Sequence, residues 1–315
     1  MNESLCLLTP TWSGDRVQFD LLRTSIERSA LASARHDVVV QTEDLGLFRS
    51  YAGPGVRLIA TEDVLPGELE EMRRRARRLQ ARFGRAGTRV LSSVSRYAGR
   101  PRWVRYTGWQ VQQITKLAMA ARSDIDTVVL LDSDVIVTRH ARADDFLHPG
   151  RIVCFGRWTP AEQVAGKVAK WNRQAHVLLG RPFSASTPVD AYFDTPFVFH
   201  APTVRGMLIW LERRYGRVWW EVLLAQPPRR WSEFGTYRIF LRSRNPEYPV
   251  EWRSDRGIRY LFDARDPHAL RSRVGSLLED SESHYIIIHS QSSGRQLWRA
   301  EDYAALLRPM LDASQ

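Results

Sequence analysis

Two aspartates one residue apart carry the strongest chemical signal in this chain. Asp132-Ser133-Asp134 follows the apolar run Thr127-Val128-Val129-Leu130-Leu131 and precedes a second, Val135-Ile136-Val137. A short β-branched run reads as a buried strand, so both carboxylates stand where such a strand ends. Open α/β sheets bind ligands outside the carboxyl ends of their strands. With no lysine nearby in sequence, the pair suits a hard divalent cation. Mg²⁺ is typically held by one or two protein carboxylates plus substrate phosphates, and Mn²⁺ accepts similar oxygen ligands. The competing reading is a turn with two solvated aspartates.

The elements around this pair follow from hydrophobic spacing. Residues 4–9 read as a first strand and 10–14 as a loop. Val17, Leu21, Leu22, Ile26 and Leu31 predict a helix over 15–32. Strands are expected at 37–41 and 56–60, and a basic helix at 68–83 with a thin apolar face. The Gly/Ser/Arg-rich stretch 84–101 reads as a mobile connection. A helix over 108–121 feeds the 127–131 strand. Strands and helices thus alternate, as in a mostly parallel, doubly wound sheet. The second half is more mixed. Strands are expected at 151–155, 197–200 and 285–288, and helices at 160–179, 203–215, 232–241 and 300–311. No repeat or linker divides the chain, so a single domain over 1–315 is expected, its halves being 1–140 and 141–315.

Composition bounds the function. The chain has 315 residues, 43% hydrophobic and 26% charged, and these values suit a soluble globular protein. No apolar run approaches the ~20 residues of a membrane span, and no signal peptide is expected at the N-terminus. Cys6 and Cys154 lie in apolar runs and read as buried free thiols, pointing to a reducing, cytoplasmic setting. The formal charge is +11, almost all of it arginine; the lysines are Lys116, Lys167 and Lys170. Between residues 70 and 105 twelve arginines face two glutamates, a net +10. Such a patch attracts polyanions. Peripheral contact with an anionic membrane on its inner face, or a lid over an anionic substrate, is the expected use; a solvated helix is the plain alternative.

In its ordered set of motifs the chain resembles bacterial glycosyltransferases of the GT-A fold. Five segments carry the resemblance: the first strand with Thr9-Pro10-Thr11, the stretch Gly108-Trp109-Gln110 through Gln112-Gln113 to Lys116-Leu117, Asp132-Ser133-Asp134, Trp231-Ser232-Glu233-Phe234, and His289-Ser290-Gln291-Ser292-Ser293-Gly294. The last departs from the His-x-x-Gly-x-x-Lys-Pro-Trp pattern of the family 8 retaining enzymes, reading Gly294-Arg295-Gln296-Leu297-Trp298, which leaves Arg295 as its basic residue. The resemblance implies an α/β fold of GT-A type, a Rossmann-like, mostly parallel sheet flanked by helices, with an elaborated acceptor-side second half. It implies transfer of a sugar from a nucleoside-diphosphate sugar, UDP by default, to a hydroxyl acceptor in a glycan, a lipid-linked sugar or a small molecule.

The resemblance also assigns residues. A departing diphosphate is neutralised by Mn²⁺ or Mg²⁺. Asp134 is the direct ligand, Asp132 binds through water or meets the donor ribose, and His289 can complete the shell. Thr9, Thr11, Gln113, Lys116 and Arg295 serve the donor; Gln113 and Lys116 share a helix face and reach the diphosphate or the base. An inverting enzyme needs a base for the acceptor hydroxyl. Glu233, in the first turn after Ser232, is the candidate, and Asp194 the second. Helix capping is the alternative for Glu233, and inverting and retaining chemistry both remain open. Among the tryptophans, Trp109, Trp158, Trp171 and Trp231 lie near the motifs and can stack on a sugar or base, although most tryptophans serve the core. A haloacid-dehalogenase-like phosphatase, a sugar nucleotidyltransferase and a non-enzymatic polyanion binder are the competing classes. The first would place its aspartate near the N-terminus and follow the second with Gly-Thr, the second needs a Gly-rich arginine loop after the first strand, and the third leaves the acidic pair unexplained. Nucleic acid is not an expected partner.

Overall fold

In chain order, β1 (Leu5–Pro10) leads into α1 (Arg16–Glu27), β2 (Arg35–Val40), the one-turn α2 (Leu45–Phe48), β3 (Val56–Ala60), a second one-turn helix α3 (Thr61–Val64), the long α4 (Gly67–Tyr97), α5 (Thr107–Arg122), β4 (Thr127–Leu130) and β5 (Val135–Val137). The second half runs β6 (Leu147–His148), β7 (Arg151–Phe155), β8 (Trp158–Pro160), α6 (Gly166–Leu178), β9 (Pro188–Asp190), β10 (Phe197–His200), α7 (Ala201–Tyr215), α8 (Trp219–Leu224), α9 (Glu233–Arg244), β11 (Val250–Arg253), β12 (Ile258–Leu261), α10 (Pro267–Glu279), β13 (Tyr285–Ile288) and α11 (Ala300–Ala313). The structure, a computed structural model, describes residues 5–97, 107–227, 229–244, 248–262, 266–288 and 300–313.

The main sheet has the order β10-β4-β1-β2-β3. β1 pairs in parallel with β2 and with β4, β2 pairs in parallel with β3, and β10 closes the edge antiparallel to β4. The chain therefore steps outward from β1 through β2 to β3, then returns to the other side of β1 as β4. The connections after β1 and β4 leave in opposite directions, and a crevice opens between the carboxyl ends of the two strands. Open sheets place ligands at this topological switch. β1, β2 and β4 read as continuous apolar runs because both faces of a parallel sheet are covered by helices. Leu7, Leu8, Val38, Val39, Val129 and Leu130 are all buried.

Smaller sheets flank the main one. β11 runs parallel to β7, which pairs antiparallel with β6; β12 runs parallel to β13, which pairs antiparallel with β5; β8 and β9 form a ribbon. Ile136, Leu261, Ile286 and Ile288 join Leu270, Val274, Leu307 and Leu311 of α10 and α11 in a second apolar cluster beside the main core.

Two expectations are corrected. The basic helix does not end at residue 83. Gly84 adopts φ +64, ψ −177 and breaks the helix, but helical structure resumes as far as Tyr97. The glycine supplies a conformation that costs other residues strain, while the residues beyond it include good helix formers. The helix expected over 160–179 starts only at Gly166, because Trp158–Pro160 pairs with Pro188–Asp190 as a strand. β11, β12 and α10 add to the expected elements.

Candidate active site

The aspartate pair forms the turn between β4 and β5, and each of its residues is tied to a different element. Leu131 N donates to Leu8 O at 3.0 Å, carrying the β1–β4 pairing one residue beyond β4. Asp132 O accepts from Val135 N at 3.2 Å, closing the turn, and Asp132 N donates to Thr195 Oγ1 at 3.4 Å. Ser133 is more than a small spacer: it is buried, and its hydroxyl donates to Thr11 Oγ1 at 2.9 Å. The Asp134 carbonyl accepts from Ile288 N, the last residue of β13, at 3.1 Å. Both aspartate side chains line one cavity of about 260 Å³.

α5 supplies the wall opposite. Val111, Ile114, Leu117, Met119 and Ala120 bury this helix on most of its circumference, so its polar residues Gln113 and Lys116 are buried too. A buried ammonium must find countercharge. Lys116 Nζ lies 3.2 Å from Asp132 Oδ1 and 3.4 Å from Glu233 Oε1, and 5.0 Å from the centroid of the Phe234 ring. Lys116 is thus the lysine partner that the local sequence around Asp132 lacks. Its contact with Asp132 is electrostatic rather than well aligned, because Asp132 Oδ1 is buried with no hydrogen bond of good geometry.

Glu233 opens α9 at the cavity floor. The Ser232 hydroxyl accepts from Phe234 N at 3.2 Å, capping the helix, and donates to Glu233 Oε2 at 3.0 Å. In the amide orientation that satisfies both groups, Gln113 also donates to this carboxylate. Burial raises the Glu233 carboxyl above its usual range, with Lys116 opposing. Burial alone would lower the Lys116 ammonium, but Asp132 and Glu233 outweigh it and hold it above the ordinary lysine value.

A second cavity of about 410 Å³ adjoins the first, sharing Pro10, Asp15 and Gln112 in its lining. Thr11, Trp12, Gln41 and Arg73 also face it. The Trp12 ring lies against Gly14, where an added Cβ would meet it at 2.4 Å, and its Nε1 donates to Asp15 Oδ2 at 2.8 Å. Arg73, on the basic helix, turns inward and is buried between Glu62 (2.9 Å) and Glu70 (2.8 Å).

The structure therefore gathers Gln113, Lys116, Asp132, Asp134 and Glu233 around one cavity and sets Thr11 in the next. Thr9 is placed elsewhere: its hydroxyl meets His36 Nε2 at 2.9 Å inside the core. Asp194 is half-buried next to Phe193, which lines the first cavity, but Asp194 itself is not among the described lining residues. His289 and Arg295 lie outside the described residues. Asp190 is buried in β9, ion-paired with buried Arg238, and accepts from Arg157 N (2.8 Å) and Tyr192 N (2.9 Å). Trp109 and Trp171 stack with centroids 6.4 Å apart and line the first cavity, whereas Trp231 is buried and Trp158 packs on Trp252. Gln112, quoted in the helix motif without a role, also lines the cavity, and Asp15 and Gln18 are lining residues that the motifs did not include. Asp15 and Gln18 lie three apart at the start of the helix after β1, a spacing that puts them on one face. Both cysteines are buried free thiols, raised by burial to about 11 for Cys6 and about 12 for Cys154.

Among the described residues no group of three or more His, Cys, Asp or Glu converges as a metal cage. Two half-buried carboxylates lining one cavity, with Asp132 held through its buried oxygen by Lys116, suit a cation that takes its remaining ligands from phosphate and water.

A family model described as a family of unknown function (DUF6492) matches residues 4–254. No curated protein matches the chain. Among solved structures, the chain is similar to the galactosyltransferase LgtC in complex with donor and acceptor sugar analogues, at 12% identity and a TM-score of 0.45, covering 96% of this chain and 95% of that one. It is similar to the glycosyltransferase GlyE of Streptococcus pneumoniae TIGR4 at 12% identity and a TM-score of 0.42, covering 98% and 62%. It is also similar to mouse xyloside xylosyltransferase 1 at 10% identity and a TM-score of 0.43, covering 92% and 99%.

Proposed function

This chain belongs to the DUF6492 family, and we propose that it is a glycosyltransferase of GT-A type that uses a nucleoside-diphosphate sugar and a divalent cation. One observation carries the reading. Asp132 and Asp134 stand at the switch point of the sheet and share a cavity with Lys116, Gln113 and Glu233. The adjoining larger cavity beside Trp12 suits the nucleoside, and the aspartate turn and its cation, in the first cavity, suit the diphosphate.

In this reading Asp134, supported by Asp132, holds Mn²⁺ or Mg²⁺, and the cation when bound neutralises charge on the departing diphosphate. Lys116 lies between Asp132 and Glu233 and orients both. The acceptor hydroxyl attacks the anomeric carbon, the bond to the diphosphate oxygen breaks, and the acceptor proton passes to Glu233. A buried carboxyl with a raised affinity for protons suits that task. Trp109 and Trp171 wall the cavity against water, and Asp194 sits on the acceptor side.

The test is a panel of nucleoside-diphosphate sugars incubated with the protein, Mn²⁺ and hydroxyl acceptors, read as nucleoside diphosphate released. At least one donor should turn over, and Glu233→Gln should lower kcat about 10²–10⁴-fold with donor binding retained. Release from no donor removes the transferase reading. A Glu233→Gln variant with wild-type kcat removes the base but leaves the reading.

A further inference from the structure

α4 leaves the body of the protein as it lengthens. Leu69, Met72, Ala76, Leu79 and Phe83 recur at three- and four-residue spacing, and their burial fades along the stripe. Leu69 is buried, Met72, Ala76 and Leu79 are half-buried, and Phe83 is 50% exposed. Beyond the break at Gly84, Val90 and Val94, one turn apart, are 63% and 59% exposed. The opposite face of the first segment presents Arg74, Arg78 and Arg82 on successive turns, with Arg75 beside them, all exposed. The Arg82 guanidinium lies 5.5 Å from the centroid of the Phe83 ring.

Exposed apolar side chains on two helical segments joined at Gly84, the first with a row of exposed arginines, are the makings of an interfacial membrane element. A nucleic acid would satisfy the arginines but offers nothing to two exposed valines and a phenylalanine. Arginine stems can bury their methylenes while their heads stay at phosphate level. No described helix is long and apolar enough to cross a membrane, so the helix would lie on the surface. We propose that α4, from Arg74 onward, docks the protein on an anionic lipid surface, with Phe83, Val90 and Val94 entering the interface and the arginines meeting headgroup phosphates. This stands apart from the activity at the crevice.

Co-sedimentation with phosphatidylcholine vesicles containing phosphatidylglycerol, against pure phosphatidylcholine, tests it on the full chain. The protein should sediment with the anionic vesicles at low salt and be released at high salt. Each arginine near such a surface strengthens binding roughly fivefold, so replacing Arg74, Arg75, Arg78 and Arg82 with glutamine should weaken it at least ~100-fold. Phe83→Ser with Val90→Ser and Val94→Ser should weaken it too, with circular dichroism unchanged. A Val94→Cys variant labelled with an environment-sensitive dye should brighten on anionic vesicles; Cys6 and Cys154 are buried, which directs the label to position 94. Absence of sedimentation at low salt overturns the proposal. So do full vesicle binding by the serine variant with a silent dye, which marks a purely electrostatic patch, and tighter binding to a duplex oligonucleotide than to vesicles.

Discussion

Replacing Lys116 with methionine strikes the contact that joins the two carboxylate centres. Methionine keeps much of the stem's volume and removes its charge. The two partners lose their countercharge unequally. The Asp132 side chain is 36% exposed and 3.2 Å away, and a pair with one solvated partner is worth only about 0–1 kcal/mol. The Glu233 side chain is 1% exposed and 3.4 Å away. Removing one partner of a buried pair costs about 3–5 kcal/mol, because the other charge stays buried. The loss in Lys116→Met at mildly alkaline pH is therefore expected at about 3–5 kcal/mol, and Glu233 sets it. Glu233 can relieve the strain by taking a proton. Burial already raises its carboxyl above 4.5, and without Lys116 the rise is larger. A carboxyl that binds its proton more tightly folded than unfolded makes stability fall as pH climbs past the unfolded value. The deficit of Lys116→Met relative to wild type should thus shrink on going from mildly alkaline pH to about pH 5. Adding Glu233→Gln to the methionine variant should recover about half of the loss, ~2 kcal/mol, so the two substitutions should be non-additive. Urea unfolding followed by tryptophan fluorescence measures all four proteins. A loss below ~1 kcal/mol, a deficit that ignores pH, or no coupling would refute the argument.

Two further outcomes follow from single sites. His36 is fully buried between Arg23 and Thr9, and burial lowers it from 6.5 to about 3. Its contribution is complete above about 6.5 and is lost as pH falls toward 3, at ~1.4 kcal/mol per pH unit within that window; His36→Gln should flatten the acid side of a stability–pH curve, and an unchanged curve would contradict a buried neutral imidazole. Gly14→Ala puts a methyl 2.4 Å from the Trp12 ring; because Trp12 is exposed, the ring should swing away at a cost under ~1 kcal/mol, and a nucleoside diphosphate should bind at least several-fold more weakly by calorimetry, whereas equal affinity would remove Trp12 from the nucleoside pocket.

The strands that build the crevice were legible because each is a buried apolar run of unmistakable length. β1, β4 and β13 fall within a residue or two of their expected limits, and Asp132 lands at the end of β4 as read. α5 was legible from Val111, Ile114 and Leu117. What eluded sequence reading is pairing between distant elements. Nothing local says that Lys116 sits between Asp132 and Glu233, or that Asp190 is the countercharge of Arg238. Such pairs arise because burial forces a charge to find a partner wherever the fold brings one. Thr9, assigned to the donor at the end of the first strand, is instead buried within β1 against His36, and it is Pro10 and Thr11, where the strand ends, that face the cavities. β11, Val-Glu-Trp-Arg, alternates apolar and charged residues over only four positions, and all four are half-buried, so the pattern is too short to stand out. α10 was different: Asp266 caps it, Pro267 opens it, and Leu270, Val274 and Leu278 repeat at four-residue spacing, so its signals were present in the sequence. The basic helix was legible in its charge but not in its length, which depends on how a chain resumes after Gly84.

The central claim is that the aspartate turn binds a divalent cation together with a nucleoside diphosphate. Isothermal titration of wild type and Asp134→Asn with UDP and GDP, each with Mn²⁺ and with excess chelator, tests it most directly. The account predicts that at least one nucleotide binds wild type only when Mn²⁺ is present, and that Asp134→Asn, folded as judged by its unfolding curve, loses this binding. Nucleotide binding that survives both the chelator and Asp134→Asn, or no nucleotide binding to wild type with Mn²⁺, would contradict it.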